Sequence, residues 1–174
     1  MRKSMKNEME IIFDAISDNE GFARVAVAAF VSHLNPTLEE LADIKTAVSE
    51  AVTNSIIHGY ENLYGYGRPG RGPVVQQQVN PGKVHIHCTL EEDVLHIRVT
   101  DQGKGMENVE KAMEPLFTTK PELERSGMGF AFMEAFMDDL EVMSTPGQGT
   151  MVSMWKKLGT SGWIEEEEDV TEPN

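Results

Sequence analysis

Residues 84–101 read VHIHCTLEEDVLHIRVTD, and this stretch constrains the fold more than any other. Val84, Ile86, Cys88 and Leu90 alternate with polar residues, and Leu95, Ile97 and Val99 repeat the pattern after Glu91-Glu92-Asp93. A period of two sends every apolar side chain to one side of a pleated ribbon, and the short acidic spacer suits a hairpin turn. An isolated ribbon with one dry face is at best marginally stable, so a second layer has to cover it.

The rest of the chain supplies that layer. MEIIFDAI (9–16) reads as a first strand, and 20–34 places Phe22, Val25, Ala26, Ala29 and Phe30 at helical spacing. In NPTLEEL, Thr37 and Glu40 form a capping box for a helix expected to run to about His58, where Gly59 offers a stop. Its stripe of Ile44, Ala47, Val48, Ala51, Val52 and Ser55 is expected to pack on the sheet. Residues 61–83 are rich in Gly, Pro and Gln and read as a loop, with 63–83 a flexible insertion. A short helix near 107–113 precedes a breaker-rich stretch. FAFMEAFMDDL then reads as a buried helix, and EVMSTPGQGTMVSMWKKL as two strands joined by a glycine turn. Residues 159–174 are dominated by an acidic run with little to bury and are expected to be disordered. The expected class is α/β: a two-layer sandwich with helices on one face of a mixed, mostly antiparallel sheet.

The 174 residues match the size of one domain, and their formal charge of −14 repels phosphate backbones and anionic lipid. That balance argues against a nucleic-acid groove or a membrane surface. A single cysteine allows no internal disulfide. No apolar run approaches the roughly 20 residues that span a bilayer, and the N-terminus has no signal-peptide pattern. A cytoplasmic protein is expected.

Four segments carry chemistry. Glu50, Asn54 and His58 recur every four residues along one helix edge, a pattern that alone fits a solvated edge equally well. TDQGKG (100–105) ends a strand with Asp101-x-Gly103-x-Gly105, which puts a carboxylate beside backbone that a ligand can approach; an exocyclic amine such as adenine's could donate to it. RSGMGF (125–130) opens the apolar helix with Gly127 and Gly129, and helix N-termini seat phosphate; Arg125 and Lys120 stand nearby in sequence. GQGT (147–150) ends in Thr150. GYGRPG (65–70) satisfies a dinucleotide-binding spacing but lacks the required strand–turn–helix context.

In this order, the four segments resemble the ATP-binding fold shared by gyrase, histidine kinases and MutL, the GHKL or Bergerat ATPases. SEAVTNSIIHGY and PLFTTKPELERSGMGF narrow the likeness to the anti-sigma-factor serine kinases. The sporulation, anti-sigma-F branch is nearer than the stress-response, sigma-B branch. Similarity runs from about Glu8 to Lys157, so 8–158 is expected to be the ATP-binding domain; the insertion and acidic tail are departures.

The resemblance implies ATP or ADP as ligand with Mg2+ on Asn54, and adenine on Asp101 beside Gly103 and Gly105. Phosphates are implied on Ser126, Gly127, Met128 and Gly129, with Thr118, Thr119, Lys120 and Thr150 lining the site. Arg125 is implied to meet the γ-phosphate and Glu50 to take the proton of an incoming serine hydroxyl. The implied partners are a sporulation sigma factor of the F type and an anti-anti-sigma factor phosphorylated on serine, with Arg24 as a partner contact; a homodimer is also implied. His58 is expected to make a structural hydrogen bond. Three alternatives stay open: a stress-type (sigma-B) anti-sigma serine kinase, a detached histidine-kinase ATPase module, although no acceptor-histidine motif is visible, and a non-catalytic ATP-dependent sigma-binding module.

Overall fold

The computed structural model describes residues 6–60, 81–115 and 128–159. Nine strands and α-helices run β1 (Lys6–Asp14), α1 (Asp18–Val31), α2 (Leu38–Asn54), β2 (Lys83–Glu91), β3 (Val94–Asp101), α3 (Val109–Met113), α4 (Gly129–Phe136), β4 (Asp139–Thr145) and β5 (Gly149–Lys157) among the described residues. The strands form one sheet in the order β1-β2-β3-β5-β4, and all four pairings are antiparallel. The expected mixed sheet is therefore purely antiparallel here. β2–β3 and β4–β5 are hairpins, and the long connection after β3 brings β5, not β4, alongside β3.

Register turns the alternation into a core. Ile11, Ile86, Val99, Val152 and Val142 form one cross-strand row, and Met9, Cys88, Ile97, Met154 and Leu140 form the next. The central members of both rows are buried and share the core with Ile44, Val48 and Val52 of α2 and Met133 of α4. Such rows of branched side chains are the unit of sheet stabilisation. The next row is Phe13, Val84, Asp101, Thr150 and Ser144, so the same parity carries polar groups onto the helix-covered face. Cys88 is fully buried, and burial pushes its thiol up to about 12.

α2 lies between α1 and α4. Its start is the expected capping box: Glu40 N–H donates to Thr37 Oγ1 at 3.1 Å, and Thr37 N–H donates to Glu40 Oε2 at 2.7 Å. Glu40 Oε1 also accepts from Gly159 N–H at 2.9 Å, tying the helix start to the chain beyond β5. The α-helix stops at Asn54 and widens into a π turn over Ser55–Gly59. Single π turns recur at functional sites.

Three local expectations change. α1 buries Ala23, Val27 and Val31, while Phe22 and Val25 are 55% and 59% exposed. α1 is apolar on more than one side, so periodicity alone did not choose its packing face. α4 ends at Phe136, because Asp139 and Leu140 belong to β4; Lys156 Nζ holds its last turn through the Phe136 carbonyl at 2.7 Å and pairs with Asp43 at 3.1 Å. Lys83, expected in the insertion, opens β2. The rest of the insertion, from 63 to 80, and the tail from 160 lie outside the described residues. No helix among the described residues is long and apolar enough to cross a membrane.

Candidate functional site

A cavity of about 550 Å³ opens between the end of α2, the π turn, the loop after β3, α3 and the start of α4. Its size suits a small organic ligand. Asn54, Ser55, His58, Gly59, Asp101, Gly105, Gly129 and Thr150 are among its lining residues.

At its inner end lies Asp101, 3% exposed. The cross-strand row described above points this carboxylate at the helices. Burial pushes its pKa up, opposed by hydrogen bonds from the Gly103 and Thr150 backbone and the Ser55 hydroxyl. The Gly103 N–H donates to Oδ1 at 2.9 Å, a tight Asx-type bond that folds the loop back at the strand end. Gly59 packs against the same carboxylate, where a Cβ would stand 2.9 Å from Oδ1. Gly103 in turn packs on Gly59: a Cβ would meet its carbonyl oxygen at 2.1 Å. The Lys104 N–H donates to that oxygen at 2.8 Å. Gly105 takes φ +70°, with the Thr145 carbonyl where a side chain would begin. The Asp-x-Gly-x-Gly spacing therefore reflects close backbone contacts at both glycines. Tyr60 closes the base of this corner, donating to the Lys83 carbonyl at 2.6 Å and accepting from Gln102 N–H at 2.8 Å.

Glu50 and Asn54 lie one turn apart on α2, both half-buried. Gly129, the first residue of α4, faces them: a Cβ there would lie 3.2 Å from Glu50 Oε2 and 3.3 Å from both amide atoms of Asn54. The carboxylate, the amide and the positive end of α4 thus converge on one spot. Met128 immediately precedes the helix. On β5, the Thr150 hydroxyl lies 2.9 Å from Ser144 Oγ, which accepts from Met106 N–H at 2.8 Å. His58, in the π turn, reaches the same cavity wall.

Thr118, Thr119, Lys120, Arg125, Ser126 and Gly127 lie outside the described residues. Arg24 stands apart from the cavity on the exposed side of α1, its guanidinium 3.4 Å from Glu20. The same Glu20 oxygen accepts from Ser49, the residue before Glu50, so α1 is linked to the acidic edge of α2. No three His, Cys, Asp or Glu side chains among the described residues gather around one point as a metal cage would require. An amide oxygen facing a helix N-terminus is instead a donor set for a hard, hydrated cation that also binds phosphate. Ser55 went unrecognised in the sequence because its spacing assigns it to the packing stripe; its neighbour Asn54 offered no signal of a π turn.

Residues 17–156 match the model of the histidine kinase-like ATPase domain. An anti-sigma F factor of Bacillus licheniformis is 52% identical over 157 residues, covering 90% of this chain and 97% of that protein. The anti-sigma F factor of Bacillus subtilis is 51% identical over the same shares. That of a Thermoanaerobacter species is 53% identical over 154 residues, covering 88% of this chain and 96% of its own. Among solved structures, the RsbU and RsbW domains of Rv1364c from Mycobacterium tuberculosis match with a TM-score of 0.56 at 20% identity, a likeness of fold. That match covers 87% of this chain and 32% of the other. With a cavity built from the matching segments and half of its residues shared across nearly the full length of these relatives, this chain belongs to the anti-sigma F factors, a branch of the histidine kinase-like ATPase family.

Proposed function

We propose that this protein holds a sporulation sigma factor of the F type in an inactive complex, and that it is an MgATP-dependent serine kinase of the opposing anti-anti-sigma factor. The observation that carries the catalytic half is that Asn54, Gly129 and the buried Asp101 line one cavity, with the Glu50 carboxylate beside Gly129.

Asp101 accepts a hydrogen bond from the 6-amino group of adenine, and Gly103 and Gly105, packed on the Gly59 and Thr145 backbone, hold the loop beside the base. The triphosphate extends toward α4, where the N–H groups around Met128 and Gly129 and the helix dipole favour negative charge. Ser126, Gly127, Thr118, Thr119 and Lys120 are assigned to the phosphates, Arg125 to the γ-phosphate, and Thr150 to the cavity wall. These roles of the 118–127 residues rest on the family likeness. Asn54 Oδ1 would hold magnesium, which when bound neutralises charge on the phosphate oxygens. Glu50 stands beside this point as general base. It takes the proton of the partner's serine as that oxygen bonds to the γ-phosphorus, and the bridging oxygen departs with ADP. Positioning and charge neutralisation supply most of the rate, in keeping with a site of few catalytic side chains.

Arg24 is a partner contact, on an exposed helix linked through Glu20 to Ser49, the residue beside Glu50. The working form is a cytoplasmic homodimer. The test is incubation with MgATP and a recombinant sporulation anti-anti-sigma factor, followed by mapping of phosphate by mass spectrometry. Phosphoserine on the partner supports the kinase. Phosphohistidine redirects the reading to a histidine-kinase module, and tight sigma binding without transfer reduces it to a nucleotide-dependent binding module.

A further inference from the structure

The sheet has a second face. Residues of the parity opposite to the core rows point away from the helices, and on β2 and β3 these include His85, His87, His96 and Arg98, all half-buried. A groove of about 300 Å³ lies between Glu10, His85, His87, Arg98 and Thr100. One row nearer the Val94 end, His96 lies flat on Trp155, with ring centroids 4.4 Å apart and planes 2° from parallel. The His96 Nε2 is buried there without a hydrogen-bond partner among the described residues. Burial, helped by Arg98 and His87 and opposed by Glu141, pulls this imidazole's pKa down, so the stacked pair forms an apolar platform. Glu8, 3.9 Å from His87, and Glu10 line the margin on β1; Asp139 and Glu141 line the margin on β4. Between the acidic margins runs a basic and aromatic lane.

The chain itself carries a segment that matches this lane in order and length. β5 ends at Lys157, level with Val94, and Gly159 turns there at φ +75°. Beyond it, TSGWIEEEEDV (160–170) offers Trp163 and Ile164, then an unbroken acidic run over 165–169. From the Val94 end the face presents the Trp155–His96 row first, then His87–Arg98, then His85–Thr100. At the rise of a strand these rows stand about 7, 14 and 20 Å from Val94. An extended chain reaches at most about 14 Å from Gly159 to Trp163 and about 35 Å to Asp169, enough to round the end of the sheet and follow the lane. We infer that residues 163–169 dock along this lane as an intramolecular strap. Trp163 and Ile164 sit on the His96–Trp155 platform, and the carboxylates that follow meet Arg98, His87 and His85. Composition alone predicts a free tail; the open face gives it a seat. The protein as a whole is acidic, so the attraction is local. Arg98 brings a permanent charge and a fork of N–H donors, and each neutral imidazole brings one ring N–H. The acidic margins repel the strap and confine it to the lane.

The chain has two tryptophans, Trp155 and Trp163, so the full chain grown on 5-fluorotryptophan gives two fluorine NMR signals, assigned with Trp163→Phe. No nucleotide is added, so the outcome is separate from that of the ATP reading. In the wild type the Trp163 signal should lie away from the position of the free amino acid and show a reduced solvent-isotope shift, as a shielded ring does. Exchanging the acidic run for amides (E165Q/E166Q/E167Q/E168Q/D169N) should return it to the free position, and so should Arg98→Gln. The amide set lies beyond β5, so it keeps the test decisive should Arg98→Gln unfold the sheet. Lys45→Gln, an exposed position on α2, is the control and should change nothing. A wild-type Trp163 signal at the free position, or a shielded one that ignores both substitutions, overturns the inference. A Trp155 signal that shifts with protein concentration while Trp163 stays free assigns the face to a second copy and overturns it as well.

Discussion

Replacing Gly103 with alanine tests whether the glycine spacing after β3 is a backbone contact or merely a turn preference. The added Cβ would sit 2.1 Å from the Gly59 oxygen, 2.4 Å from its carbonyl carbon and 2.5 Å from its Cα, all main-chain atoms. Relief requires the loop and the π turn to part by roughly 1 Å, an overpacking strain costing about 1–3 kcal/mol. The parting also breaks the 2.8 Å bond from Lys104 N–H to the same oxygen, about 1 kcal/mol more. The expected loss is about 2–4 kcal/mol, or roughly 10 °C in Tm for a chain of this size. Gly21→Ala is the matched control, since a Cβ there meets nothing within 4 Å and the residue lies inside α1. The same methyl should stabilise that helix by about 0.5–1 kcal/mol. Urea unfolding followed by circular dichroism, with unchanged m-values, gives both numbers. A Gly103→Ala protein within about 0.5 kcal/mol of wild type would refute the packing argument.

Three further outcomes are expected. Glu50→Ala should bind MgATP normally in a titration yet show at least a hundredfold slower phosphotransfer, the usual contribution of a general base; equal losses in both assays would remove it from the chemistry. Arg24→Ala should weaken capture of the sigma factor by about tenfold or more, with nucleotide affinity unchanged; intact capture in a pull-down would relocate the docking surface. The pH dependence follows from Asp101, whose pKa burial raises above 3.8. Its contribution to stability is complete below 3.8 and is lost as pH climbs through the raised folded value, because there the folded chain holds a proton that the unfolded chain has released. Relative to Asp101→Asn, the wild type should therefore lose stability as pH rises from about 4 toward neutrality. A flat difference between urea midpoints across that range would contradict the sign.

Much of the fold was legible because the signals were local. The alternation in 84–101 announced β2 and β3, and Thr37 with Glu40 announced the start of α2; all three elements appear, the helix start with the expected capping bonds. The face chosen by α1 was not legible. Phe22 and Val25 have the right spacing for burial, but Ala23 and Val27 lie against the core instead. The end of α4 was also misplaced, because MDDL continues an apolar helical run until β5 draws Asp139 and Leu140 into the sheet. The purely antiparallel sheet depends on β5 lying between β3 and β4, a pairing over long sequence distance that no local pattern encodes.

The sequence by itself determined the ingredients: a one-sided β-hairpin that required a helical cover, and an ordered set of polar and glycine motifs that match an ATP site. Tertiary structure decided their arrangement. Strand parity turned Asp101 inward, antiparallel register set Thr150 beside it, and α4 brought Gly129 against Glu50 and Asn54. It also set Ser55, at the start of the π turn, near Asp101. The division has a physical cause. Spacing along a chain specifies which side chains share a face, whereas the groups that meet across faces are selected by packing between segments distant in sequence.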